Sequence, residues 1–89
     1  MVRAYELAEI GCVMGAGLES SSAATAAIYA ATALKNYSYP IDTLGPHWFA
    51  EDVISDTSHF GAGFAVAPER PGLGIDLEWA QVERLTARA

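Results

Sequence analysis

Val13-Met14-Gly15-Ala16-Gly17-Leu18-Glu19-Ser20-Ser21-Ser22 is the stretch that decides how this chain folds. A short apolar run, Cys12-Val13-Met14, gives way to glycines, then to one carboxylate, then to three hydroxyls that open an alanine-rich segment. A continuous apolar run bounded by glycine suits a strand buried on both faces, as in parallel sheets. Ser20, Ser21 and Ser22 are candidate N-caps for a helix running to about Lys35, with Asn36 as its stop. Ala24, Ala27, Ile28, Ala31 and Leu34 share one face of that helix. The opposite face is also mostly Ala and Thr, which predicts close packing on more than one neighbour. Glu19 therefore stands between a strand end and a helix start. Its residue chemistry allows two readings: an ordinary acid stabilised by the helix dipole at ~0.3–1 kcal/mol, or an acid facing an active site.

Outward from this stretch, residues 2–10 read as a helix with Tyr5, Ala8 and Ile10 towards one side. No Ser, Thr, Asp or Asn precedes it as a cap, and Gly11 is placed to end it in the C′ role. Helix, strand and helix in this order follow the grammar of an α/β fold with parallel strands. One strand cannot make a parallel sheet, so the chain holds only about one and a half α/β units. Beyond Asn36, residues 37–49 carry Pro40, Pro46 and the aromatics Tyr37, Tyr39, Trp48 and Phe49, and read as an irregular crossing segment in which the aromatics serve packing. An acidic piece, 51–56, follows. The alternation of Phe60, Ala62, Phe64 and Val66 with smaller residues predicts a strand or hairpin arm over 59–67. Pro68, Pro71, Gly72 and Gly74 break the chain again. A last helix is expected over 77–87, with Asp76 as N-cap and Trp79, anchoring it, on one face with Val82 and Leu85.

With 89 residues there is room for one modest domain, yet 52% of them are hydrophobic. A domain this small needs polar residues to cover its surface, so some apolar side chains are expected to serve partners outside the chain. The net charge is −6, and the basic residues Arg3, Lys35, Arg70, Arg84 and Arg88 are scattered. That excludes the electrostatic footprint of a nucleic-acid binder and disfavours an anionic membrane surface. Cys12, the single cysteine, cannot form an intrachain disulfide. It fits a reducing compartment and reads as a buried, inert thiol. Glu6 and Glu9 spoil a signal peptide, and residues 20–34 fall short of the ~20 apolar residues of a membrane span. The expected location is cytoplasmic.

Three blocks stand in order: VMGAGLESSSAATAAIYAATALKN at 13–36, DTLGPHWFAEDVI at 42–54 and APERPGLGIDLEWAQVERL at 67–85. Together they resemble the C-terminal end of enolase-superfamily enzymes of the mandelate racemase and muconate lactonizing (muconate cycloisomerase-like) kind. The resemblance implies an α/β fold, the C-terminal fragment of a TIM-type (β/α) barrel. Residues 1–36 would supply the end of helix 7, strand 8 and helix 8. Residues 37–89 would return over the barrel rim into an α+β capping domain. A whole barrel needs roughly 250 residues, so Met1 is expected to be an internal residue or a start created by truncation, and the isolated chain to be inactive and poorly stable. Family members are isomerases and lyases that abstract a proton alpha to a carboxylate, with Mg²⁺ (or Mn²⁺) stabilising the enediolate. The metal ligands and general bases of that family lie on earlier strands, absent from this chain.

What does carry over is Glu19, as the catalytic-site acid that polarises or binds the substrate carboxylate; functional groups sit at the C-terminal ends of barrel strands. Gly17, Leu18, Ser20 and Ser21 are candidate substrate-binding residues: the glycine permits close backbone approach, and the helix start offers unpaired N–H groups. Simple turn and cap chemistry accounts for them equally well. Ser20 is no nucleophile, since no GxSxG elbow surrounds it. His47, Glu51, Asp52, Asp56 and His59 match no metal-ligand spacing and read as a solvated acidic loop. GLESSS departs from the family's commoner M-L-E-(G/S/T), so cycloisomerisation, epimerisation, dehydration and racemisation remain equal options. The expected partners are a small carboxylate substrate, the remainder of the barrel and cap, and a second copy in the full-length homo-oligomer. A non-catalytic fragment or self-associating scaffold is the alternative.

Overall fold

A computed structural model describes residues 1–57 and 59–87. Its elements are mixed: α1 (Val2–Leu7), α2 (Ser21–Ala33), the single-turn α3 (Gly45–Trp48), the strands β1 (Phe60–Gly61) and β2 (Phe64–Ala65), and α4 (Trp79–Thr86). α1 stops before the expected Gly11. Glu9 takes the left-handed conformation at φ 56°, Ile10 N–H reaches back to the Tyr5 carbonyl (2.9 Å) and Glu9 N–H to that of Glu6 (3.1 Å). That is a Schellman closure, made here without glycine.

The apolar run 12–14 does not become a strand buried on both faces. It makes one isolated parallel bridge, Cys12 to Tyr37, and Val13 is exposed. A parallel strand needs neighbours to cover both faces, and the described residues supply one backbone partner on one side. Cys12 N–H donates to Asn36 O (3.0 Å) and Ser38 N–H to Cys12 O (3.1 Å). The Cys12 thiol is half-buried rather than buried, and Asn36 Nδ2 donates to its Sγ at 3.3 Å.

α2 organises the rest. Its buried residues are Ser21, Ala24, Thr25 and Ile28, spaced as one helical stripe. Three side chains on successive turns tie it to the following segment. Ser21 bonds Asp52, Thr25 bonds His59, and the Tyr29 hydroxyl donates to the Pro68 carbonyl. The 59–67 alternation resolves into an antiparallel hairpin, with Phe60 opposite Ala65 and Gly61 opposite Phe64. Gly63, at φ 82°, sits in its tight turn.

Part of the crossing segment is helical after all: Pro46 enters the first turn of α3, where its missing N–H costs nothing. The last helix starts two residues later than expected, with Glu78 rather than Asp76 at its N-cap. The chain around Asp76 is drawn instead into pairing with 53–55, through Ser55 N–H to Asp76 O (3.2 Å) and Glu78 N–H to Val53 O (2.9 Å). Trp79 does not anchor α4; it is 65% exposed.

The buried apolar core comprises Ala24, Ile28 and Ile54. The accessible surface is 6196 Å², against about 5,000 Å² for a compact monomer of this mass. The radius of gyration is 14.7 Å, where about 12 Å would mark a compact domain. The apolar surplus in the composition therefore lies outside: Leu7, Leu18, Trp48, Phe64 and Trp79 are all exposed. Among the described residues no helix is long and apolar enough to cross a membrane.

Candidate functional site

Residues 15–20 lead from the Cys12–Tyr37 bridge straight into α2, so Glu19 stands immediately before the helix start. Downstream, the first turn of α2 has no acid of its own, and its Ser20 N-cap makes no capping side-chain bond; Ser20 Oγ instead meets Ser22 Oγ at 2.8 Å. The cap comes from a distance. Asp52 accepts the Ser21 N–H (3.0 Å) and the Ser21 hydroxyl (2.6 Å), and also its neighbour Val53 N–H (2.6 Å). A carboxylate at a helix N-terminus satisfies an orphan donor and complements the dipole. Asp52 is thus a half-buried capping group and not part of a solvated loop.

Its neighbours in the acidic piece are similarly employed. Glu51 pairs with Arg84 at 2.9 Å. His59 is half-buried, with Nε2 2.9 Å from Thr25 Oγ1. Thr25 spends its one hydroxyl proton on the Ser21 carbonyl (2.7 Å), so His59 Nε2 is the donor and carries a hydrogen. Further along, the Asp76 hydrogen bond and charge hold the exposed Arg70 guanidinium above its usual range. Among the described residues no group of three His, Cys, Asp or Glu comes together to hold a metal ion. The donor set that Mg²⁺ demands, several carboxylate oxygens on one centre, is not assembled by them.

On its other side Glu19 is covered by α3. Gly45 is buried, and a β-carbon there would lie 2.0 Å from the Glu19 carbonyl oxygen and 3.0 Å from its Cδ. Only glycine lets the turn come so close. Both Glu19 carboxylate oxygens are shut off from solvent and have no hydrogen-bond partner among the described residues. The Thr43 hydroxyl, two residues before Gly45, is in the same condition.

Gly17 and Leu18 lie in the wall of a shallow cleft of about 300 Å³, together with Ala16, Asp42, Leu44 and Trp48. Glu19, next in sequence, is not in that wall. Ser20 and Ser21 are not in it either: Ser20 Oγ meets Ser22, and the Ser21 amide and hydroxyl are already engaged by Asp52. A larger groove of about 550 Å³ runs between the 40–47 segment and the hairpin, walled by Pro40, Ile41, Leu44, His47, Phe60 and Phe64 among others. Sequence reasoning missed Asp42, Leu44 and Trp48 as cleft residues and Asp52 as the cap. One signal for Asp52 was present: the serine run has no acid three residues on, so no local capping box can form.

The model of the enolase C-terminal domain-like family matches residues 1–81. The chain belongs to that family. Two curated relatives are o-succinylbenzoate synthases, from Geobacillus stearothermophilus and Geobacillus kaustophilus, each 36% identical over 58 residues. The match covers 64% of this chain and 16% of each relative, so the chain spans about a sixth of their length. No solved structure matches it. Family membership accounts for the helix–run–helix order around Glu19 and for the mixed α/β character. Residues 1–81 include Glu19, the Gly45 that presses on it, and the Ser21–Asp52 cap of α2.

Proposed function

We propose that this chain is the closing segment of a (β/α) barrel enzyme that abstracts a proton alpha to a carboxylate. Residues 1–36 contribute the last strand with its flanking helices, and residues 37–89 return towards the rim and cap. Among the reactions of that class, the two synthase relatives favour a lyase-type step that yields a succinylbenzoate-like acid. Glu19 binds or polarises the substrate carboxylate, by sharing a proton with it. Gly17 and Leu18 shape the cleft, while Ser20 and Ser21 hold the strand exit in place. Mg²⁺ or Mn²⁺ belongs to carboxylates on strands that this chain does not contain. The remaining barrel and cap, and a second copy of the whole enzyme, are its protein partners in the cytoplasm.

The observation that carries this reading is the state of Glu19: a carboxylate just before the start of α2, shut off from solvent and without a donor among the described residues. Buried acids are normally hydrogen-bonded, and an unmet one marks a place where a ligand group belongs. The test is Glu19→Gln in a chain that also supplies the other strands. Turnover should fall on the order of 10²–10³-fold, as when one group polarising a developing oxyanion is lost. Near-normal turnover across candidate acids would overturn the role. Exposed Leu18, Trp48, Phe64 and Trp79 favour a second reading, a self-associating scaffold. Sedimentation of the isolated chain separates the two, because a compact monomer rules the scaffold out.

A further inference from the structure

Gly17 and Leu18 open onto the cleft and Glu19 does not, and the element that separates them is the turn at 42–48. Asp42, Leu44 and Trp48 of that turn form the far wall of the cleft. Gly45, in its middle, presses on the Glu19 carbonyl and carboxyl group. Leu44 also walls the larger groove on the other side, so the turn is a partition with a cavity on each face. It is fastened at its base, where Asp42 N–H donates to Met14 O (3.1 Å), and lightly held beyond: α3 is one turn long, with no side-chain cap, and Leu44 and Trp48 are 49% and 68% exposed. The two Glu19 carboxylate oxygens beneath it and the turn's own Thr43 hydroxyl lack partners among the described residues. Shut polar groups without partners push such an arrangement towards opening.

We propose that the 42–48 turn is a movable cover over Glu19, with Gly45 as the residue that allows it to close. In the closed form Glu19 is hidden. When the turn lifts, Glu19 joins Gly17 and Leu18 on one continuous cleft floor. A ligand bearing a hydrogen-bond-donating group, a hydroxyl or a protonated carboxyl, selects the open form because it satisfies the acid. The cover regulates access to the site assigned above and rests on that assignment for its purpose, though its existence is read independently of catalysis.

The experiment uses the 89-residue chain itself. Carboxylates are coupled to an amine with a water-soluble carbodiimide, and the rate at each position is read by mass spectrometry. In the wild type Glu19 should label at least ~10-fold more slowly than exposed Glu69 and Glu83, as expected for a site that reacts through local opening. Gly45→Ala, whose methyl cannot coexist with the closed turn, should bring Glu19 to within about threefold of them, with Asp52 still slow because the α2 cap survives. Equal rates in the wild type, or unchanged protection in Gly45→Ala, overturn the cover. Should Gly45→Ala lose its helical circular-dichroism signal, Pro46→Gly, which loosens the turn without adding an atom, is read in its place by the same criterion. Labelling needs no turnover. A failed cover with an inactive Glu19→Gln enzyme therefore spares the catalytic role, and an intact cover with an active one removes it.

Discussion

Asp52→Ala is the sharpest test of what holds the strand exit in place. Asp52 receives the Ser21 amide at 3.0 Å and the Ser21 hydroxyl at 2.6 Å, and Ser21 is fully buried. Losing an N-cap costs about 1 kcal/mol. Leaving the Ser21 hydroxyl without an acceptor in a dry position adds about 1–3 kcal/mol. Water entering the space vacated by a half-buried side chain recovers part of this, so the net cost is about 2–3 kcal/mol, or roughly 30–150-fold in the folded-to-unfolded ratio. Asp52→Asn keeps one acceptor oxygen but gives up the charge, and should cost about 1 kcal/mol. Urea unfolding followed at 222 nm gives the totals. Amide exchange at Ala24, whose N–H bonds the Ser20 carbonyl at 3.0 Å, reports the first turn of α2 directly. In a double-mutant cycle with Ser21→Ala the coupling should be about 1.5–3 kcal/mol, the range for a charged hydrogen bond. A change below about 0.5 kcal/mol in Asp52→Ala, the level of an ordinary surface substitution, with unaltered Ala24 exchange, would refute the capping role.

Thr25→Val removes the acceptor of His59 Nε2–H at nearly constant volume, and should destabilise the chain by about 1–2 kcal/mol; Thr25→Ser should restore most of it, and the His59 ring nitrogen shifts should follow the same order. Gly74→Ala meets both a φ of +67° and the Pro68 Cβ at 2.6 Å, whereas Gly72→Ala meets only a φ of +68° with open space around it. Urea midpoints should therefore rank Gly74→Ala well below Gly72→Ala, by about 1–3 kcal/mol against about 1 kcal/mol.

The start of α2 beside Glu19 was legible in the sequence because helix-start signals are local. The strand expected before it is reduced to one bridge because its neighbours lie outside this chain's backbone pairing. Glycine after an apolar run, hydroxyls before an alanine-rich stretch, and the Ala24/Ile28 stripe are all set within a few residues. The hairpin at 60–65 could be read for the same reason, from alternation and a glycine turn. What escaped were decisions made across the chain. Nothing near Ser21 announces that its cap is Asp52, thirty-one residues on. Likewise, nothing near Asp76 shows that residues 53–55 will claim its backbone before α4 can start. The helical turn of α3 was masked by Pro40, Pro46 and the aromatics around them, although proline suits the first helical turn. Trp79 was expected to anchor α4 because a large aromatic on an amphipathic face usually does, and here Val82 and Leu85 of that face are half-buried while Trp79, at the helix start, is left exposed.

These long-range choices fall into a pattern that bears on the site. Ser21, Thr25 and Tyr29 stand four residues apart on one stripe of α2, and their partners, Asp52, His59 and Pro68, follow in the same order along the chain. The second half of the molecule is therefore laid along α2 in register, with few buried apolar contacts to help it. Specificity of this kind comes from pairing polar groups that are costly to leave unmet, whereas an apolar seam could slide. The register ends beside Glu19: Asp52 grips the residue two positions after it, and Gly45, seven residues before Asp52, rests on Glu19 itself. A shift of the returning segment along α2 would move both contacts together. The carboxylate at the strand exit is thus aimed by the segment that follows α2, and a substitution at Thr25 or Tyr29, remote from any ligand, should be felt at Glu19.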